Sequence, residues 1–241
     1  MIAAAIAAEG KVRLADLVRV LGVSEPTIRK DLEELQRLRL LRRTHGGAVT
    51  WGPTEMPISR RSGRNQPAKR AIARACLAEI AGGESVFLDS GTTVQEIAAG
   101  LDRPDVNVLT NALAVAGLLA DRPGVRHTLV GGQVRSLGGS LVGPIALDNL
   151  SRFHVDVAFI GASGLTAEGI TVADVAEAQI KQSVIERARR VVVPLDATKM
   201  GVTDFIRVCE LTRIDVVVTD QATDEATEWC EAHDVTLKVA G

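Results

Sequence analysis

Six short valine-rich runs recur between residues 85 and 220: SVFLD, VNVLT, HTLVGG, VDVAFIG, RVVVPLD and IDVVVTD, separated by helical stretches. A strand that is apolar on both faces must be covered on both faces. Alternation of such strands with helices gives a mostly parallel sheet wound with helices on either side. Aromatic residues are 2% of the chain and tyrosine is absent, so the core is built from Ala, Val, Leu and Ile. At 241 residues the chain suffices for two modest domains or one large one.

Ligands of an open α/β sheet sit beyond the carboxyl ends of its strands. After SVFLD comes Ser90-Gly91-Thr92-Thr93, opening a helix. Glycine allows close approach, and the hydroxyls and free N–H groups of a helix start make a phosphate cradle. Read alone, the same residues equally make a plain Ser/Thr N-cap. Asn111 follows VNVLT and both gives and accepts hydrogen bonds. Gly131-Gly132 and then Arg135 follow HTLV, and Arg135 has the charge to neutralise an anion. Thr198-Lys199 follows RVVVPLD, where Lys199 is either an anion partner or a solvated loop charge. Glu177 and Lys181 stand one helical turn apart, facing the site or forming a surface ion pair.

Charge is divided unevenly. Residues 1–70 hold 14 Lys/Arg against 7 Asp/Glu, a balance of +7, and the remainder holds 14 against 23, a balance of −9. A basic head on an acidic body points to a polyanion partner for the head. Its sequence fits that partner. Leu14, Leu17, Val18 and Leu21 recur at helical spacing, and Gly22 can end the helix in a left-handed conformation. Val23 reads as a buried turn residue. Ser24 is an N-cap, Pro26 fits a first turn, and Ile28, Leu32, Leu35 and Leu38 continue the stripe. Two short helices joined through glycine are a helix-turn-helix, with Ile2 to Ala8 as a supporting first helix. The groove-facing turns would carry Ser24, Glu25, Pro26, Thr27, Arg29 and Lys30. LLRRTHGGAV then reads as strand, turn and strand, a wing that brings Arg42, Arg43 and His45 to the phosphate backbone.

Residues 50–66, TWGPTEMPISRRSGRNQ, are polar and lack a sustained period. The chain therefore divides into a winged helix-turn-helix (1–52), a linker (53–66) and an α/β body (67–241). Cys76, Cys209 and Cys230 are far apart without Cys-x-x-Cys spacing, which argues against a disulfide framework or thiolate zinc site. No metal or cofactor is expected. No apolar run is long enough to span a bilayer, and no cationic n-region with a cleavage site opens the chain. The expected location is the cytoplasm.

VSEPTIRKDLEELQRLRLLRRTHGGAV resembles the DNA-binding domain of the DeoR family of bacterial transcriptional regulators. In the body, LDSGTT, VLTNALAVA, LVGGQVRSLGGSLVGPIA, EAQIKQSVIERA and LDATKMG resemble its effector-domain motifs. The resemblance covers nearly the whole chain. It implies a body of the ribose-5-phosphate isomerase/CoA-transferase-like type. It also implies a phosphorylated sugar or similar metabolite at Asp89, Ser90, Gly91, Thr92 and Thr93, with Thr110, Asn111 and Gly132 around it and Lys199 and Arg135 on the anion. The family pattern carries several residues before the first helix, whereas this sequence starts inside it: either the start is late or the helix is short. Ser163 stands where the family usually has another polar or acidic residue after FIGA, and Ala197 replaces a common Ser.

The expected function is a repressor of a sugar-metabolism operon, released from double-stranded operator DNA by a phosphorylated sugar. Palindromic operators imply a homo-oligomer, dimer or tetramer. The alternative is a sugar-phosphate isomerase with a DNA-binding appendage. An isomerase needs a positioned carboxylate base. The loop where related isomerases cluster their carboxylates is Ala162-Ser163-Gly164 here, which has none. Glu168 and Asp174 follow it.

Overall fold

The structure is a computed structural model that describes residues 2, 11–37, 41–44, 46–50, 58–122 and 124–241; of residues 11, 42, 49 and 50 it describes the backbone alone. It separates into two compact units, Met1–Met56 and Pro57–Gly241.

The first unit runs β1 (Lys11–Arg13), α1 (Leu14–Leu21), α2 (Glu25–Arg37), β2 (Leu41–Thr44) and β3 (Gly47–Thr50). Gly22 ends α1 at φ 65° with its amide on the Val18 carbonyl, the left-handed cap that its sequence position requires. The Ser24 carbonyl accepts the Thr27 and Ile28 amides, and its hydroxyl meets that of Thr27 at 2.8 Å, so α2 begins there. Ile2, Leu14, Leu17, Ile28, Leu32, Leu41 and Ala48 form one small core. Val23, expected inside, is exposed, because the turn directs it away from that core. Leu38, Ala8 and the rest of the expected first helix beyond Ile2 lie outside the described residues. The wing hairpin is present and gains a third strand, since β1 pairs antiparallel with β3. A Cβ on Gly47 would collide with the Val12 carbonyl, so that strand pairing demands glycine there.

In the second unit, α3 (Ile58–Arg61) and α4 (Gln66–Leu77) precede β4 (Ser85–Leu88), α5 (Thr92–Gly100), β5 (Asn107–Thr110), α6 (Leu113–Ala120) and β6 (Arg126–Leu129). A hairpin of β7 (Gln133–Arg135) and β8 (Ser140–Val142) leads to α7 (Pro144–Leu150) and β9 (Val155–Phe159). Then come β10 (Gly164–Thr166), β11 (Gly169–Val172), α8 (Val175–Ile185), β12 (Ala188–Pro194), β13 (Ile206–Cys209), β14 (Val216–Thr219), α9 (Asp224–Ala232) and β15 (Thr236–Val239).

Seven strands form one parallel sheet in the order β15-β14-β12-β9-β4-β5-β6. Successive residues of a strand point to opposite faces. Val86 and Leu88 join one apolar layer with α4 and α5, while Phe87 joins the other with α7 and α8. Both layers are apolar, which is why the strands read as continuous valine runs. The small antiparallel sheet β10-β11-β13 was not legible as strands.

Residues 58–65, within the stretch that composition reads as linker, are fastened to the body. The Ile58 amide donates to the Leu137 carbonyl at 2.9 Å, and the Lys69 ammonium donates to the Arg61 carbonyl at 2.6 Å. Among the described residues no helix is long and apolar enough to cross a membrane, and no group of three His, Cys, Asp or Glu could hold a metal ion.

Candidate functional site

In the head, burial of Ile28 and Leu32 turns the other side of α2 outward. Ser24, Glu25, Pro26, Thr27, Arg29 and Lys30 are all exposed there. Glu25 and Arg29, one turn apart, form an ion pair at 2.6 Å. Such an exposed pair contributes little, about 0–1 kcal/mol, so Arg29 can exchange it for another acceptor. Arg29, Gln36, Arg43 and Thr44 line an open polar cleft between α2 and the wing. The Arg43 amide donates to the Gln36 side chain at 2.8 Å, and its guanidinium pairs with Glu33. Sequence reading had Arg29 and Arg43 but not Gln36, which fixes the wing against α2. The Arg42 side chain and His45 lie outside the described residues.

In the body, β12, β9, β4 and β5 are consecutive neighbours, and residues 89–93, 110–111 and 199 lie at or past the carboxyl ends of β4, β5 and β12, whereas Gly132 follows β6 and Arg135 lies in β7. Gly91 has φ 140° and ψ 151°, a region closed to most L-residues, and nothing lies within 4 Å of where its Cβ would be. Its backbone is thus open at the start of α5. Ser90, Thr92 and Thr93 are buried. The Thr93 hydroxyl has no hydrogen-bond partner among the described residues, and neither does the side-chain oxygen of Asn111. An orphan buried polar atom costs about 1–3 kcal/mol, so each marks a place where a partner is missing.

Other residues expected on the ligand are occupied internally. The Thr110 hydroxyl donates to the Leu88 carbonyl at 2.6 Å and accepts the Ala112 amide at 3.0 Å. Asp89 accepts the Ser90 amide at 2.7 Å and the Gly161 amide at 2.9 Å, and it is ion-paired with Lys181. Burial pushes the Asp89 carboxyl up, and the Lys181 ammonium pulls against it. Asp89 therefore anchors the loop. Gly132 is required by packing, since its Cβ would meet the Val142 carbonyl at 2.9 Å and Ala146 at 3.0 Å.

Arg135 is already matched with acids: it pairs with Asp174 at 3.2 Å and Glu177 at 3.1 Å. Glu177 also accepts the Ser140 hydroxyl at 3.0 Å. Glu177 and Lys181 are accordingly both buried, each with its own partner, and the surface ion pair between them is not formed.

Lys199 is no solvated loop charge. Its ammonium donates to the Ala162 carbonyl at 2.7 Å, and burial pushes it down to about 8 against the attraction of Asp196. Asp196 starts the helical turn Ala197–Lys199 and accepts from the Thr198 hydroxyl and from the Asn65 amide at 3.1 Å. Burial raises its carboxyl, but Thr198, Lys199 and Asn65 together outweigh burial and hold it below the ordinary range.

Asn65, Lys69 and Asp196, which adjoin Lys199 through these contacts, were not singled out from the sequence. Two of them carried a signal. Asp196 closes its strand with the same Leu-Asp pair as Asp89. Lys69 shares the apolar stripe of α4 with Ile72, Ala73 and Cys76, an abnormal place for a lysine.

The comparisons decide the family. Residues 1–53 match the DeoR-like helix-turn-helix domain, and residues 64–221 match the DeoR C terminal sensor domain. The chain belongs to the DeoR family. This DeoR-family chain is 34% identical to the HTH-type transcriptional repressor GlcR of Bacillus subtilis, over 93% of this chain and 87% of the relative. It is 34% identical to the glycerol-3-phosphate regulon repressor of Escherichia coli, over 88% and 85% respectively. Both relatives are named as repressors and neither as an enzyme. Among solved structures, a D-ribose-5-phosphate isomerase in complex with phospho-erythronic acid is similar at TM-score 0.43 and 16% identity, over 56% of this chain and 54% of that one.

Proposed function

We propose that this DeoR-family chain is a transcriptional repressor of sugar metabolism, released from its operator by a phosphorylated sugar bound at the carboxyl edge of the body's sheet. The observation that carries the reading is the pair of orphan oxygens on Thr93, in the first turn of α5, and on Asn111, just past β5, with the open backbone of Gly91 two residues before Thr93. A sugar phosphate supplies what they lack. Its hydroxyls donate to those oxygens, and its phosphate accepts from the amides that open α5 and from Lys199. The head would read operator bases through α2 and hold the backbone through the wing. Such a regulator works in the cytoplasm and, on a palindromic operator, as a dimer or tetramer.

A thermal-shift screen tests the reading. A ligand that binds only the folded chain raises the melting point by mass action. One phosphorylated sugar should stabilise the chain and dissociate it from operator DNA, while its unphosphorylated counterpart does neither. If unphosphorylated sugars act as strongly, the phosphate reading fails.

A further inference from the structure

A lysine on the buried face of a helix needs a counter-charge, and Lys69 does not have one in contact. It is 4% exposed, in the first turn of α4. Its ammonium donates to the Arg61 carbonyl at 2.6 Å, a neutral acceptor. Lys199, half-buried, likewise has a neutral acceptor, the Ala162 carbonyl at 2.7 Å. Among the described residues neither ammonium has a carboxylate at ion-pair distance.

The two lysines belong to one place. The Lys69 amide donates to the Asn65 carbonyl at 3.0 Å, and the Asn65 side chain donates to Asp196 at 3.1 Å. Asp196 in turn begins the helical turn that carries Lys199. Lys69 and Lys199 repel one another, Arg61 repels both, and each is attracted by Asp196. That carboxylate already accepts from Thr198 and Asn65. Lys181, another cation nearby, is matched by Asp89. The edge of the sheet thus holds two ammonium groups with no carboxylate at ion-pair distance among the described residues, attracted only from farther off by Asp196 and, for Lys69, by Glu96, an arrangement that burial makes unfavourable.

We propose that Lys69 is a second ammonium of the effector site, closing with Lys199 on a single doubly charged phosphate group. The proposal rests on the sugar-phosphate reading and narrows it to phosphate monoesters, which carry close to two charges at neutral pH. The competing role for Lys69 is purely structural, as a cap on the carboxyl end of α3 through the Arg61 carbonyl.

The test uses inorganic phosphate on the full chain, by calorimetry and thermal unfolding, with chloride at equal ionic strength as reference. Lys69→Gln keeps a donor for the Arg61 carbonyl and removes the charge; Lys69→Met removes both. Each should bind phosphate at least tenfold more weakly than the parent chain, as should Lys199→Met. In chloride Lys69→Gln should melt higher than the parent, because a buried repulsion is gone. If Lys69→Gln and Lys69→Met bind phosphate as tightly as the parent while Lys199→Met does not, Lys69 is only a cap and the effector site stands without it. If all the variants bind as the parent does, or the parent does not bind phosphate, the sugar-phosphate reading falls as well.

Discussion

The side-chain amide of Asn65 donates to the Asp196 carboxylate at 3.1 Å, joining residues 131 positions apart. Asp196 is held low in part by Lys199, so an anion at Lys199 alters the acceptor that Asn65 holds. Asn65 also closes the turn after α3, the first described element of the body. With the proposed phosphate at Lys199, Asn65 would carry its charge to the segment that follows the head in sequence. We expect Asn65→Ala to fold, since it loses one hydrogen bond, about 0.5–1.5 kcal/mol, and adds left-handed strain at φ 50°, about 1–2 kcal/mol. It should bind operator normally but shrink the effector–operator coupling, ordinarily ~1–3 kcal/mol, toward zero. The measurement is effector affinity with and without operator. An unchanged ratio in the variant would take Asn65 out of the path.

Arg29 and Arg43 share a cleft but should differ in what they read. Arg29→Ala should lose ~1–3 kcal/mol on operator and less on random DNA, as expected for a contact to a base edge. Arg43→Ala should weaken both DNAs alike and reduce the slope of log affinity against log salt by about 1, as expected for a phosphate contact. Glu25→Gln frees Arg29 and removes a negative charge, so operator affinity should rise, most at low salt. Anisotropy titrations at several salt concentrations separate these outcomes. Equal losses on both DNAs for Arg29→Ala would assign it to the backbone.

The depressed ammonium of Lys199, at about 8, gives effector binding a pH dependence. A phosphate monoester is fully dianionic above pH ~7, so the ligand does not titrate in the window. Lys199 is charged below 8 and loses its proton above it, and binding must then restore that proton. Affinity should be level near pH 7 and fall above 8, approaching tenfold per pH unit. Lys199→Met should be weak and flat. Stability has the opposite sign: the folded pKa lies below the unfolded value of ~10.4, so the unfolded chain holds more protons between them and stability rises with pH there. The melting difference between the ligand-free parent and Lys199→Met should narrow across that range. Level affinity up to pH 9.5 would remove Lys199 from the anion.

Much of this was written in the sequence, and its misses have physical reasons. Val86, Phe87 and Leu88 alternate between two apolar layers, so the run announces a strand buried on both faces. Gly22 announces its own turn. The rule that ligands lie past strand ends singled out Gly91, Thr93, Asn111 and Lys199 as candidates. It did not foresee the pairing of Arg135, because β7 and β8 turn the chain back and deliver that guanidinium to Asp174 and Glu177. Strands of three residues leave too short a pattern to be read. Residues 58–65 were polar enough to pass for linker, since their attachment is made by backbone and side-chain hydrogen bonds that leave no apolar period.

Gly83 and Gly91 stand at opposite ends of β4, and together they separate backbone strain from ligand contact. Gly83 has φ 83° and Gly91 has φ 140°, and at neither would a Cβ meet any atom within 4 Å. Alanine at either position should therefore destabilise the body by strain alone, about 1–3 kcal/mol, with no collision. Only at Gly91 does the new methyl stand over the open start of α5, where the phosphate is proposed to lie. Gly83→Ala should melt lower and yet bind effector as the parent does, once compared at a temperature where both are folded. Gly91→Ala should melt lower by a similar amount, lose effector affinity, and stay on operator DNA when effector is added. Calorimetry with the sugar phosphate from the screen makes the comparison. If Gly91→Ala binds effector as well as Gly83→Ala, residues 90–93 serve only to cap α5, and the anion is held elsewhere on the sheet edge.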